Sequence, residues 1–475
     1  MRRGLWVLAV VLWLGGIGIV ASVQPGLVRL ERAEQELAIA RQGEDPVAEA
    51  AALENLARIK PEKYSWQEAG EAYLTAGDPA AAMRSLQKAA ETGKLNGTGR
   101  LLLGDLYLAN GEESRALEEW QESIEQGELR GYERLAKYYR REKDWPELEV
   151  LLVEWMQAEE QNGEPFLQYS LLRSAQGNQA AMSDLRIARE KNPEWEAGLS
   201  RIENAILSGS FSAYLGFQPL LVGRVIGNLG SWDYAEIAFR QALELAPEYA
   251  EAWAFLSEAR YQQQEGGEEE IQKALELNPD SVISQALYAM RLRREGKPEE
   301  ALPYLERVAE IEPDQVVWRL EIAATLGELG MINEALAEFQ KAVKLDPTNI
   351  QAWKQLTIFC IQHNLELRTI GLQAAREALS LAPEDAEALD LMGWTLFLLD
   401  DTTSAERFLH RAVEMDHQFV QAYLHLGQVY LKTQQNRLAY QHLKQARNLA
   451  VEGSESQMLA SRLLERYFGE AEATP

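Results

Sequence analysis

A self-similarity of 34 residues constrains this chain more than any other feature. Ala301, Leu305, Val308 and Pro313 return 34 residues later as Ala335, Phe339, Ala342 and Pro347. The same set stands earlier as Ala235, Phe239, Ala242 and Pro247, and later as Ala405, Leu409 and Ala412, then Ala439, Leu443 and Ala446. Ala235 and Ala301 lie 66 apart, two short of two periods; Ala335 and Ala405 lie 70 apart, two over. Each discrepancy reads as a two-residue change of loop inside one repeat. A unit this small cannot bury its apolar face alone, so units must stack on one another.

The other half of each unit carries Trp253 and Leu256, Trp353 and Leu356, Met392 and Gly393, or Tyr423, Leu426, Gly427 and Tyr430. Numbered from the start of a unit, slots 4, 7, 8 and 11 share one stripe of a first helix, and slots 20, 24 and 27 one stripe of a second. Gly or Ala at slots 8 and 20 lets the two helices approach closely, and Pro at slot 32 stops the second. Turns such as Ala76-Gly77-Asp78, Asn110-Gly111-Glu112, Glu295-Gly296-Lys297 and Leu329-Gly330-Met331 join the pair. This pattern, W-x2-L-G-x2-Y and then A-x3-F-x2-A-x4-P, resembles the tetratricopeptide repeat. The resemblance implies an all-α, right-handed superhelical solenoid of helix-turn-helix repeats. It also implies a non-catalytic scaffold for a protein or peptide partner.

The clearest units are 61–94, 96–129, 216–249, 250–281, 282–315, 316–349, 350–385, 386–419 and 420–452, with weaker ones at 130–163 and 164–193. The expected organisation is an N-terminal array over 27–193, an irregular connector over 194–221, a C-terminal array over 222–452 and a capping helix over 453–468. Within the connector, Trp195 to Leu207 reads as a helix and 208–221, rich in Gly, Ser and aromatics, as a linker. The cap is expected to cover the end of the stack with Leu459, Leu463, Leu464 and Tyr467.

Leu5 to Val23 is 19 residues without a charge, long enough as a helix to cross a hydrocarbon core of about 30 Å. Arg2 and Arg3 precede it, which favours residues 1–4 as a cytoplasmic tail and places the repeats beyond the cytoplasmic membrane. The alternative is a secretory signal cleaved near Val20-Ala21-Ser22. A single-pass anchor with repeats behind it resembles tetratricopeptide-repeat adaptors of bacterial envelope assembly. An alternative function is a structural spacer, or a regulatory subunit of an envelope or glycan-assembly enzyme complex, with no ligand of its own.

Forty-seven basic against 74 acidic residues leave a net charge of −27, which argues against nucleic acid as a partner and for a solvated acidic exterior. The single cysteine, Cys360, falls in a core slot and reads as an inert packed thiol. There is no H-E-x-x-H, G-x-S-x-G, C-x-x-C or phosphate loop. An enzyme is therefore not expected, nor a cofactor. His410, His417, His425 and His442 fall in slots that do not converge on one helix face, so no metal is expected either.

Slots 2, 5, 9, 12 and 13 of the first helices are expected to face a concave groove. They hold Arg224; Glu258, Tyr261 and Gln262; Met290, Arg293 and Arg294; Lys354, Ile358 and Ile361; Asp390, Trp394 and Phe397; Gln428 and Lys432. The candidate partner-binding set is Tyr261, Met290, Arg293, Arg294, Lys354, Ile358, Ile361, Trp394, Phe397 and Gln428. Trp394 and Phe397 read either as an exposed apolar patch ringed by charge or as rings packed on neighbouring helices. Family members that clamp a C-terminal carboxylate use Lys and Asn at slots 5 and 9. Here Lys354 is followed by Ile358, so that mode of binding is not expected.

Overall fold

The computed structural model describes residues 28–469, so the apolar run Leu5–Val23 lies outside them. No described helix is long and apolar enough to cross a membrane. Among the described residues the chain is helix and turn, with no strand. It divides into two compact units, one ending at Gln241 and the other beginning at Ala242.

The first unit opens with helical residues 28–42, whose Ala33 and Leu37 pack with Leu53 and Leu56 of Pro46–Ile59. Helix pairs follow: Trp66–Thr75 with Pro79–Glu91, Gly97–Ala109 with Glu113–Glu125, Arg130–Glu142 with Trp145–Ala158, and Gly163–Ala175 with Ala181–Lys191. The second unit stacks Ala250–Gln262 with Glu268–Leu277, Val282–Arg294 with Pro298–Ile311, and Val316–Glu328 with Ile332–Leu345. Then come Ile350–Gln362 with Leu372–Leu381, Ala386–Leu398 with Thr402–Met415, and Val420–Lys432 with Asn436–Leu449. Within each unit, helices touch mainly their sequence neighbours, the mark of a solenoid.

The small-residue slots explain the pairing. Ala82, Ala116, Ala301, Ala335, Ala405 and Ala439 have no exposed surface, and the bulky partners one turn on, such as Leu86, Trp120, Leu305 and Leu443, are equally enclosed. Opposite Ala82, Ala116, Ala405 and Ala439 the first helix presents a bare Cα, at Gly70, Gly104, Gly393 and Gly427; opposite Ala301 and Ala335 it presents Ala289 and Ala323. A Cβ on Gly104 would sit 2.6 Å from the Trp120 ring, and one on Gly427 2.5 Å from Leu443. Burying each such Leu or aromatic contributes about 1.5–3 kcal/mol.

The region expected to be an irregular connector, 194–221, is mostly helical. Helix Glu196–Ser210 runs past Leu207, and the next helix, Phe217–Asn228, starts after only residues 211–216. Leu199, Ile202 and Ala205 are buried along one face, and Gln218 Nε2 donates to the Ile206 carbonyl at 3.0 Å. A helix pair is present; what is lost there is the 34-residue phase. The division of the chain accordingly falls at 241/242 rather than in this stretch.

Both phase changes in the second unit have a local cause. In the longer repeat, the second helix opens with a wide turn over Leu367–Gly371, in which the Gly371 amide donates to the Glu366 carbonyl at 3.1 Å. In the shorter one, Gly267 at φ +106° starts the second helix directly, so close to Ser257 that a Cβ would lie 2.6 Å from its carbonyl oxygen. The terminal helix, Glu455–Phe468, packs on Asn436–Leu449 as expected of a cap. Its buried face is Ala460, Ser461 and Leu464, while Leu459 and Tyr467 point outward, contrary to expectation.

Candidate functional site on the first-helix face

In the second unit, three successive first helices frame a cleft of roughly 520 Å³. Its apolar floor is Leu320, Ala324, Gly327, Ile358 and Phe359, and its rim is Arg293, Glu321, Glu328, Gln355, Gln362 and His363. The gap exists because Val316–Glu328 carries Ala324 and Gly327 at slots 9 and 12, where neighbouring repeats carry Met290 and Arg293 or Ile358 and Ile361. Phe359 forms the base, buried, with the Phe339 ring centre 5.0 Å and the His363 ring centre 4.5 Å from its own. A Cβ on Gly327 would already reach 3.3 Å from the Phe359 ring.

Around this cleft the first helices are cross-linked by charge. Arg294 grips Glu258 of the preceding repeat through two bonds of 2.8 and 2.6 Å, with the Tyr261 ring 4.7 Å from its guanidinium. Arg293 reaches the following repeat, contacting Glu321 and Glu328 at 2.5 Å each. Lys354 is buried and holds Asp385, at the end of its own repeat, at 2.7 Å and Glu387 of the next at 2.8 Å. Burial opposes its charge, but the two carboxylate bonds outweigh that and hold its pKa above the ordinary lysine value. The same bond holds the Asp385 carboxyl below its ordinary value, against the opposing effect of burial. Further along, His425 Nδ1 lies 2.7 Å from the buried Asp390 carboxylate.

A family profile described as tetratricopeptide repeat matches residues 292–364, the stretch that builds this cleft. A second profile of the same description matches 68–128 and 227–282. The chain carries tetratricopeptide repeats. Among solved structures it is similar to "MamA 41-end from Desulfovibrio magneticus RS-1", at 23% identity over 35% of this chain and 94% of that chain, TM-score 0.32. It is also similar to the structure titled APC/C hetero-tetramer Cut9-Hcn1, at 14% identity over 93% and 96% of the two chains, TM-score 0.44. A third is YrrB, described as a TPR protein with an unusual peptide-binding site, at 20% identity over 41% and 97%, TM-score 0.32. No curated protein matches the sequence.

Of the residues expected to bind a partner, the tetratricopeptide repeats bring only Arg293 and Ile358 to the cleft. Tyr261 lies in a separate polar cleft with Arg291 and Glu295. Arg294 and Lys354 are engaged in the ion pairs described above, and Lys354 is enclosed rather than presented. Met290 is exposed, Gln428 is half-buried, and Ile361 packs against the core. The reading of Trp394 and Phe397 as an exposed apolar patch is corrected. Both are half-buried and stacked on each other at 4.7 Å, with His425 over Trp394 at 4.0 Å and Lys432 over Phe397 at 4.8 Å. These rings spend their faces on each other and on His425 and Lys432 of the next first helix.

Leu320, Ala324, Gly327 and Gln355 were absent from the expected set. For Ala324 and Gly327 the signal is smallness: groove slots that neighbouring repeats fill with larger side chains drop to Ala and Gly in one repeat; Leu320 and Gln355 carry no such signal. Chemically the cleft offers a dry base and hydrogen-bonding rims, an arrangement for holding a side chain and its backbone. The buried Cys360 thiol is pushed up to about 11 by burial. Among the described residues no group of three or more His, Cys, Asp or Glu side chains is arranged to hold a metal.

Proposed function

We propose that this chain is a non-catalytic scaffold that binds an extended or helical segment of a protein partner along the first helices of its second unit, centred on the Ala324–Gly327 cleft. The observation that carries the reading is that cleft. An apolar base is left open between ion-paired helices, and its occupant would desolvate Phe359 and Ile358. Tetratricopeptide repeats as a family mediate protein–protein interaction, which supports the class of function. The wider reading is that the scaffold is tethered through Leu5–Val23 to a bacterial cytoplasmic membrane, with the repeats on its outer side. It rests on the uncharged length of that segment and on Arg2 and Arg3 before it. Protease protection in intact cells tests that topology.

Site-specific photocross-linking tests the binding reading. A benzophenone side chain at position 358 should capture one defined partner peptide, and the same group at the outward-facing Val150 (56% exposed) should not. Equal or absent capture at both positions would favour a spacer without a ligand in the cleft.

A further inference from the structure

The charges around the cleft say what kind of segment it accepts. Arg293, the one guanidinium on the rim, is already clasped by two carboxylates, Glu321 and Glu328, at 2.5 Å each. The trio therefore carries one net negative charge. The next cation along the face, Lys354, is clasped by two carboxylates in the same way and is only 6% exposed. An incoming carboxylate would have to displace Glu321 or Glu328 from Arg293 and would meet whichever it left behind. An incoming cation meets Glu328, whose side chain is 43% exposed and whose oxygens retain unused lone pairs. Below that rim the floor is apolar and has room that no side chain of this chain fills, because slots 9 and 12 are Ala324 and Gly327.

We infer that the partner segment is basic and amphipathic: it places an aliphatic side chain over Gly327 and Phe359, and an Arg or Lys side chain on Glu328 and Glu321. This rests on the cleft being the binding site, and it adds the charge and the anchor of what binds. The specificity is electrostatic and the anchoring is apolar, so the two can be separated by substitution.

The test uses the full chain and two fluorescent synthetic peptide pools, identical except that a fixed Leu is flanked by Arg in one pool and by Glu in the other. Fluorescence anisotropy should show the Arg pool binding about tenfold more tightly than the Glu pool at low ionic strength, as expected for one charge-assisted contact. Added salt should shrink the difference. E328Q should weaken the Arg pool several-fold and narrow the preference. G327L, which fills the gap while remaining in a helix, should abolish binding of both pools. Circular dichroism establishes that each variant stays folded. Binding of the Glu pool as tight as or tighter than the Arg pool, or an Arg preference that survives E328Q undiminished, overturns the basic-partner inference and leaves the cleft as the binding site. Binding of neither pool, or binding untouched by G327L, overturns the cleft reading and the inference with it.

Discussion

The bare Cα atoms facing the second helices are the most demanding single positions. Gly104 is the clearest case. Trp120 packs against it with 1% exposure, and its indole Nε1 donates to Asp105 at 3.1 Å, so the ring cannot step aside. The Ala116 carbonyl would lie only 3.1 Å from an added Cβ. Alanine is the better helix former by about 1 kcal/mol, yet Gly104→Ala is expected to destabilise the first unit by about 1–3 kcal/mol through overpacking. Urea unfolding reads the sign directly. At this scale the fold was legible, because a glycine at the repeat's fixed distance before Ala116 and Trp120 announces a close crossing of the two helices. The site was less so. Arg294 and Lys354 look like free groove cations in sequence, and nothing in their slots reveals that Glu258 and Glu387 of neighbouring repeats, and Asp385 at a repeat's end, have already engaged them.

The turns and helix junctions set the second scale. Gly296 and Gly330 take φ of +74° and +73° between the helices of their repeats, whereas Asn364, Asp400 and Gln434 take +47°, +68° and +60° at the matching position. A left-handed side chain costs roughly 1–2 kcal/mol, partly offset by the greater chain entropy that glycine loses. Gln434→Gly is therefore expected to stabilise by about 0.5–1 kcal/mol, seen as a raised Tm. Nearby, His442 of Asn436–Leu449 stacks on Tyr430 at 5.4 Å, with the His410 ring 5.7 Å away. Burial first, and then the His410 imidazole, push His442 down to about 4, against the opposing pull of Glu406. An unfolded histidine titrates near 6.5. Below that pH the unfolded chain takes up a proton that the folded one refuses, so stability present above about 6.5 is lost as pH falls toward 4. A His442→Phe variant should show a flatter decline of Tm over that window; an unchanged slope would show that other groups govern it. Elements that kept the 34-residue phase were readable. Glu196–Ser210 was readable as a helix but not as part of a repeat, and residues 208–221 were read as a linker where most are helical, because no matching repeat stands there to be compared with.

For the whole molecule, stability follows from stacking, since each helix pair leans mainly on its neighbours in sequence. Loss of the terminal helix Glu455–Phe468 uncovers Leu424 and Ala446, which cluster with Ala460. Truncation after residue 452 is thus expected to speed amide exchange in Val420–Lys432 and Asn436–Leu449 while leaving Val282–Arg294 unchanged. The all-α repeat architecture could be read from periodicity alone, but the cleft could not. It arises where small residues in one repeat meet a buried ring in the next, a coincidence that no single unit contains. The most direct test of the account is hydrogen–deuterium exchange on the full chain with and without the segment captured by the cross-linker at position 358. Slowed exchange concentrated in Val282–Arg294, Val316–Glu328 and Ile350–Gln362 is the predicted result. Protection confined to second helices, or to the first unit, would contradict it.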